Sequence, residues 1–115
     1  MDISISTTIP ATCVIEADIY CNNIWAWFLE IAQSDNIGVS GWSMGNAYSS
    51  AQNNTWYHFK AEIKYPNSIF NLYDLQGTHL GSSTKSSNSN VAKMLLKTRD
   101  TMTELRFKNL LVYTQ

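Results

Sequence analysis

Apolar and polar residues alternate with a period of two along nearly the whole chain, and no window sustains the i, i+3, i+4, i+7 apolar stripe of an amphipathic helix. A period of two sends successive side chains to opposite faces of an extended strand, so an all-β fold is expected. The clearest case is Thr55 to Tyr65, where Tyr57, Phe59, Ala61, Ile63 and Tyr65 alternate with Trp56, His58, Lys60, Glu62 and Lys64, giving one buried and one wet face. Thr12 to Tyr20 has the same character, with Cys13, Ile15, Ala17 and Ile19 set against Glu16, Asp18 and Tyr20. Ile24 to Ile31 is apolar on both sides, as a central strand is, and Trp25 and Trp27 fall in one row with Leu29 and Ile31 that reads as core.

Further strands are expected at Ile3 to Thr7, Ile37 to Trp42, Ile69 to Leu75, Thr78 to Gly81, Val91 to Thr98 and Glu104 to Tyr113. A short one is expected around Ala47 to Ser50, inside the Gly-, Ser- and Asn-rich segment Ser43 to Asn54. Asn22-Asn23, Ser34-Asp35-Asn36, Pro66-Asn67 and Gln76-Gly77 supply turn chemistry, and Ser82 to Asn90 reads as a polar loop. Roughly nine short strands at this spacing predict a two-sheet antiparallel sandwich or a barrel. The 115 residues suit one core, so a single domain spanning 1–115 is expected.

Charged residues make up 15% of the chain, against an ordinary share of roughly 25%, and Ser, Thr and Asn take their place. The net charge is −1 and the eight Lys and Arg residues are scattered, which leaves no basic footprint for a nucleic acid. The longest apolar run, Ile24 to Leu29, falls far short of the roughly 20 residues a membrane-spanning helix needs, so no membrane insertion is expected. Met1-Asp2-Ile3-Ser4 has no positively charged start, and no secretory signal is expected. Cys13 and Cys21 share one strand, which would hold them roughly 26 Å apart, so they are expected to stay unpaired. A neutral surface rich in Trp, Tyr, Asn and Ser suits an uncharged, hydroxylated ligand, because aromatic rings pack on the C–H faces of sugars while amides and hydroxyls match their hydrogen bonds.

The stretch Asn54-Thr55-Trp56-Tyr57-His58-Phe59-Lys60-Ala61-Glu62-Ile63, followed by Ile69-Phe70-Asn71-Leu72-Tyr73-Asp74 and Gly77-Thr78-His79-Leu80-Gly81, resembles the concanavalin A-like lectin/glucanase superfamily, which includes laminin-G-like domains. Phe107 to Tyr113 resembles the closing strand of such domains, with Asn109 in its place. The resemblance runs from Cys13 onward and implies a jelly-roll sandwich. That fold hosts lectins, carbohydrate-binding modules, glycosidases, protein-binding modules and phage-tail adhesion domains, so it selects no single function.

Glycosidases need two carboxylates about 5 to 9 Å apart. Glu16 and Asp18, at i and i+2 on one strand face, suit that separation, but the glucanases of the superfamily carry a third acid in an E-x-D-x-x-E pattern, and Cys21 stands in its position. No catalytic residue is therefore assigned, and hydrolysis or lyase chemistry is the lesser reading. Trp42 opens the long loop and Trp56 shares a face with His58, so both are expected partly exposed at one end of a sheet. With Tyr48 in the loop, Asn71 and Tyr73 on one face of their strand, and Asp18, they form the expected ligand-binding set. Asp35, Asp74 and Asp100 lie in turns where members of the superfamily sometimes hold calcium, but no ligand spacing supports a metal and no cofactor is expected.

The expected function is a non-catalytic carbohydrate-binding module for a cell-surface or structural polysaccharide, such as the host-adhesion module of a phage tail or baseplate. It would act extracellularly or on a virion surface, within a larger multidomain or multimeric assembly. The alternative is a laminin-G-like structural or protein-interaction domain with no sugar site.

Overall fold

The computed structural model describes residues 4–23, 27–35, 38–42, 51–98 and 104–114. Among them are nine strands: β1 (Ser4–Thr8), β2 (Cys13–Cys21), β3 (Trp27–Ala32), β4 (Gly38–Trp42), β5 (Thr55–Ile63), β6 (Asn67–Tyr73), β7 (His79–Ser86), β8 (Lys93–Thr98) and β9 (Leu105–Tyr113). They form two antiparallel sheets, one ordered β1-β8-β3-β4 and the other β7-β6-β5-β2-β9. The protein is an all-β, two-sheet antiparallel sandwich.

The alternation in the sequence is the reason for this layering. On β2, Ile15, Ala17 and Ile19 are fully buried, and they stand directly opposite Ala61, Phe59 and Tyr57 of β5. Phe70 and Leu72 of β6 extend that apolar face, and Leu29 and Ile31 of β3 with Leu96 and Met94 of β8 face it from the other sheet in one continuous core. Removing this apolar surface from water is the main force holding the sheets together. Cys13 and Cys21 are buried within the core and form no disulfide, as their spacing requires, and the Cys21 thiol donates to the Asn23 carbonyl at 3.0 Å. The other face of β2, β5 and β6 is left to Glu16, Asp18, Tyr20, Trp56, His58, Lys60, Asn71 and Tyr73, all half-buried.

The expected meander of three strands is present as β5, β6 and β7. Its last strand differs from expectation, because β7 continues through Ser82 to Ser86 where the sequence reads as a loop. These residues carry no apolar face, yet their backbone pairs with β6 from Asn67↔Ser86 to Tyr73↔His79. An edge strand pairs through its backbone on one side, so polar side chains are compatible with it. β6 likewise begins at Asn67 rather than Ile69, and Ser68 is fully buried, accepting the Lys64 N–H at 3.2 Å. The strand expected at Ala47 to Ser50 and the side chains of Trp25 and Trp27 lie outside the described residues.

Two local features shape the solvent face of the five-stranded sheet. Between β2 and β9 the register slips: Glu16 stands opposite Leu111 but Asp18 opposite Lys108, so Asn109 and Leu110 together face Ala17. Asn109 takes a left-handed φ of 57°, as one residue of such a bulge does, and Asn tolerates it better than most side chains. At the far end of β6, the Asp74 carboxylate accepts the N–H groups of Gln76 and Thr78, both at 2.9 Å, and Gly77 supplies the φ of 90° that closes the turn.

Candidate functional site

The register of the five-stranded sheet assembles a row of side chains across its solvent face. His58 of β5 stands between Asp18 of β2 and Tyr73 of β6, and Lys60 stands between Glu16 and Asn71. His58 is the centre of the arrangement. Its Nδ1 lies 2.9 Å from Asp18 Oδ1 and its Nε2 lies 2.8 Å from Glu16 Oε1. Ionised carboxylates have no proton to give, so both contacts are hydrogen bonds when the ring is an imidazolium, which donates from both nitrogens. The remaining carboxylate oxygens are also held: Asn109 Nδ2 donates to Asp18 Oδ2 at 2.9 Å, and the Tyr113 hydroxyl donates to Glu16 Oε2.

Partial burial pushes the His58 pKa down, but the hydrogen bonds to Glu16 and Asp18 and their charges outweigh it and hold the ring above its ordinary value. Burial also pushes the Glu16 carboxyl up, and the hydrogen bonds from Tyr113 and His58, with the charges of His58 and Lys60, bring it below the ordinary range. Asp18 follows the same logic, lowered against burial by His58, Asn109 and Lys108. Tyr113 is raised, chiefly by donating to the Glu16 carboxylate. The cluster is thus a charged, mutually hydrogen-bonded unit joining β2, β5 and β9.

An open groove of about 380 Å³ lies beside this unit. Glu16, Asp18, His58 and Lys60 line it from β2 and β5, and Tyr73, Asp74, Leu75 and Gly77 line it from the end of β6 and the turn that follows. The Tyr73 ring is tilted against His58 and His79, with centroids 6.3 and 5.2 Å away. Among the described residues no group of three or more His, Cys, Asp and Glu side chains is placed to hold a metal ion. Among the described residues no helix is long and apolar enough to cross a membrane.

Of the side chains singled out from the sequence, Asp18, His58 and Tyr73 meet at the groove. Asn71 lies one row away on the same face, with its Oδ1 3.1 Å from His79 Nε2. Trp56 shares the face and is half-buried, with Lys108 Nζ 4.5 Å from its ring centroid and Tyr20 packed beside it at 5.5 Å. Trp42 does not share a sheet with Trp56, since β4 is an edge of the four-stranded sheet. Its side chain, and Tyr48 entirely, lie outside the described residues. Sequence reasoning missed Asp74, Asn109 and Tyr113 as part of one site, and read Glu16 only as a catalytic candidate. Asn109 could have been sought from the preference of Asn for left-handed backbone, whereas the place of Tyr113 depends on a bulge that no periodicity reveals.

The fold and site define a β-sandwich with a polar, aromatic groove on one sheet. No family model matches the chain, and no curated protein sequence does. Among solved structures the chain is similar to a protein titled "Sialidase", with a TM-score of 0.72 and 10% sequence identity over 99% of this chain. The chain spans 14% of the length of that protein. At this identity the likeness is one of fold.

Proposed function

We propose that the protein is a non-catalytic carbohydrate-binding module of concanavalin A-like type, with its site in the groove beside His58. The observation that carries this reading is a solvent-facing groove where an aromatic ring, an exposed aliphatic side chain and uncommitted polar groups surround a rigid hydrogen-bonded cluster. Sugars are bound by that combination, with rings packing on C–H faces and fixed polar groups meeting hydroxyls. The two carboxylates hold the cluster together and are not poised for hydrolysis. A glycosidase needs one carboxyl raised so that it can donate a proton, and both Glu16 and Asp18 are lowered. On this reading the module attaches a larger assembly to a surface or structural polysaccharide, outside cells or on a virion, and weak single sites gain strength by multivalent display.

The test is a glycan array probed with the purified domain in multivalent form, beside Tyr73→Ala and His58→Ala variants of confirmed fold. Wild-type binding that both variants lose supports the site, and a blank array for the wild type sinks it. A second reading, a laminin-G-like protein-interaction domain, is favoured by the edge strand β9, where Leu111 is 57% and Val112 36% exposed. Strand edges with exposed apolar side chains invite pairing with another chain.

A further inference from the structure

The groove beside His58 is not uniformly available to a ligand, and the distribution of its spare bonding capacity limits what can enter. Both ring nitrogens of His58 are used, and each oxygen of Glu16 and Asp18 already receives a donor. Three lining groups keep a polar atom with no partner among the described residues. Asp74 spends Oδ1 on the turn and has Oδ2 to spare. Among the described residues the Lys60 ammonium forms no ion pair or hydrogen bond, and the Tyr73 hydroxyl none. They amount to an acceptor, a charged donor and a group that can do either.

We propose that this groove takes a neutral sugar presenting adjacent free hydroxyls, and that it disfavours acidic sugars such as uronic or sialic acids. The inference rests on the glycan-binding reading and specifies its ligand. A hydroxyl pair can give a hydrogen to Asp74 Oδ2 while accepting from Lys60, which is how carboxylate and ammonium together recognise a diol. Leu75, 51% exposed, and the Tyr73 ring offer apolar surface for the sugar's C–H groups. An incoming carboxylate fares differently. The groove is lined by three carboxylates, Glu16, Asp18 and Asp74, against two cations, His58 and Lys60. His58 is committed to Glu16 and Asp18 and Lys108 is turned over Trp56, which leaves the Lys60 ammonium to face three carboxylates. An acidic ligand would add a fourth carboxylate to a groove whose three carboxylates already outnumber its two cations, and Asp74 would repel it.

The experiment is an array on which uronic-acid polysaccharides are printed beside their carboxyl-reduced, neutral forms, with neutral glucans, mannans and galactans, each before and after periodate cleavage of adjacent hydroxyls. The neutral forms should bind about ten-fold or more tightly than their acidic partners, and periodate should abolish binding. Equal or stronger binding of the acidic forms, or periodate-resistant binding, overturns this inference and leaves the glycan-binding reading standing. A blank array overturns both. Asp74→Asn keeps the oxygen that closes the turn, so it preserves the fold while weakening the acceptor and the repulsion. It should reduce neutral-sugar binding and narrow the gap between the paired polymers, and unchanged binding to both overturns the role given to Asp74. Lys60→Gln, at a side chain that makes no ion pair or hydrogen bond among the described residues, should weaken neutral-sugar binding as well, and binding unaltered there overturns the role given to Lys60.

Discussion

Two carboxylates on either side of one imidazole form a bonded unit only while the ring carries its second proton, so the His58 cluster is sensitive to pH in both directions. A histidine raised above its ordinary 6.5 contributes fully below that value, and the contribution is lost as pH climbs through the raised one. Glu16 and Asp18, lowered from 4.5 and 3.8, contribute fully above those values and fade as pH falls through the lowered ones. Stability from this site is therefore greatest between about pH 5 and 6.5. His58→Gln should remove the alkaline decline and cost about 1 to 2 kcal/mol at pH 6, read by urea unfolding across pH 4 to 9. An unchanged alkaline limb in the variant would place the decline elsewhere. Alternation along β2 and β5 is enough to put Asp18 and His58 on polar faces. It does not set them opposite one another, because slipping a strand by two residues satisfies the same alternation. That is why these side chains were legible as candidates and their union was not.

At the scale of the strand, the bulge on β9 is the feature that brings Asn109 to Asp18. Its backbone and side-chain contributions are separable. Asn109→Gly keeps the left-handed backbone and loses only the amide, whereas Asn109→Ala loses the amide and strains the backbone. Ala should therefore be less stable than Gly by about 1 to 2 kcal/mol in thermal unfolding. Equal stability of the two would mean that the bulge relaxes without its Asn. Strands with a clean apolar face, β2 and β5, were legible to within a residue or two. β7 was not: an edge strand with polar residues on both faces has the composition of a loop, and only its pairing with β6 distinguishes it.

For the molecule as a whole, period-two patterning was enough to specify two apolar sheet faces, and two such faces have few ways to escape water other than each other. The sandwich was therefore legible, while the partition of nine strands between the sheets was not, because it depends on long-range pairings such as β1 with β8. Phe59, 1% exposed at the middle of the core, tests whether the sheets act as one unit. Phe59→Ala should cost about 3 to 5 kcal/mol and still unfold in one calorimetric transition. Two separate transitions would mean that each sheet is stable without the other. The position of β9 has a further consequence. Among the described strands it pairs with β2 alone, yet it brings Asn109 and Tyr113 to carboxylates that lie 91 and 97 residues earlier in the chain. The cluster cannot be complete on a nascent chain until this strand has been made and has found its edge. A β9 peptide supplied separately would then act as a key, turning a chain that lacks it from a sandwich with an open seam into a finished site.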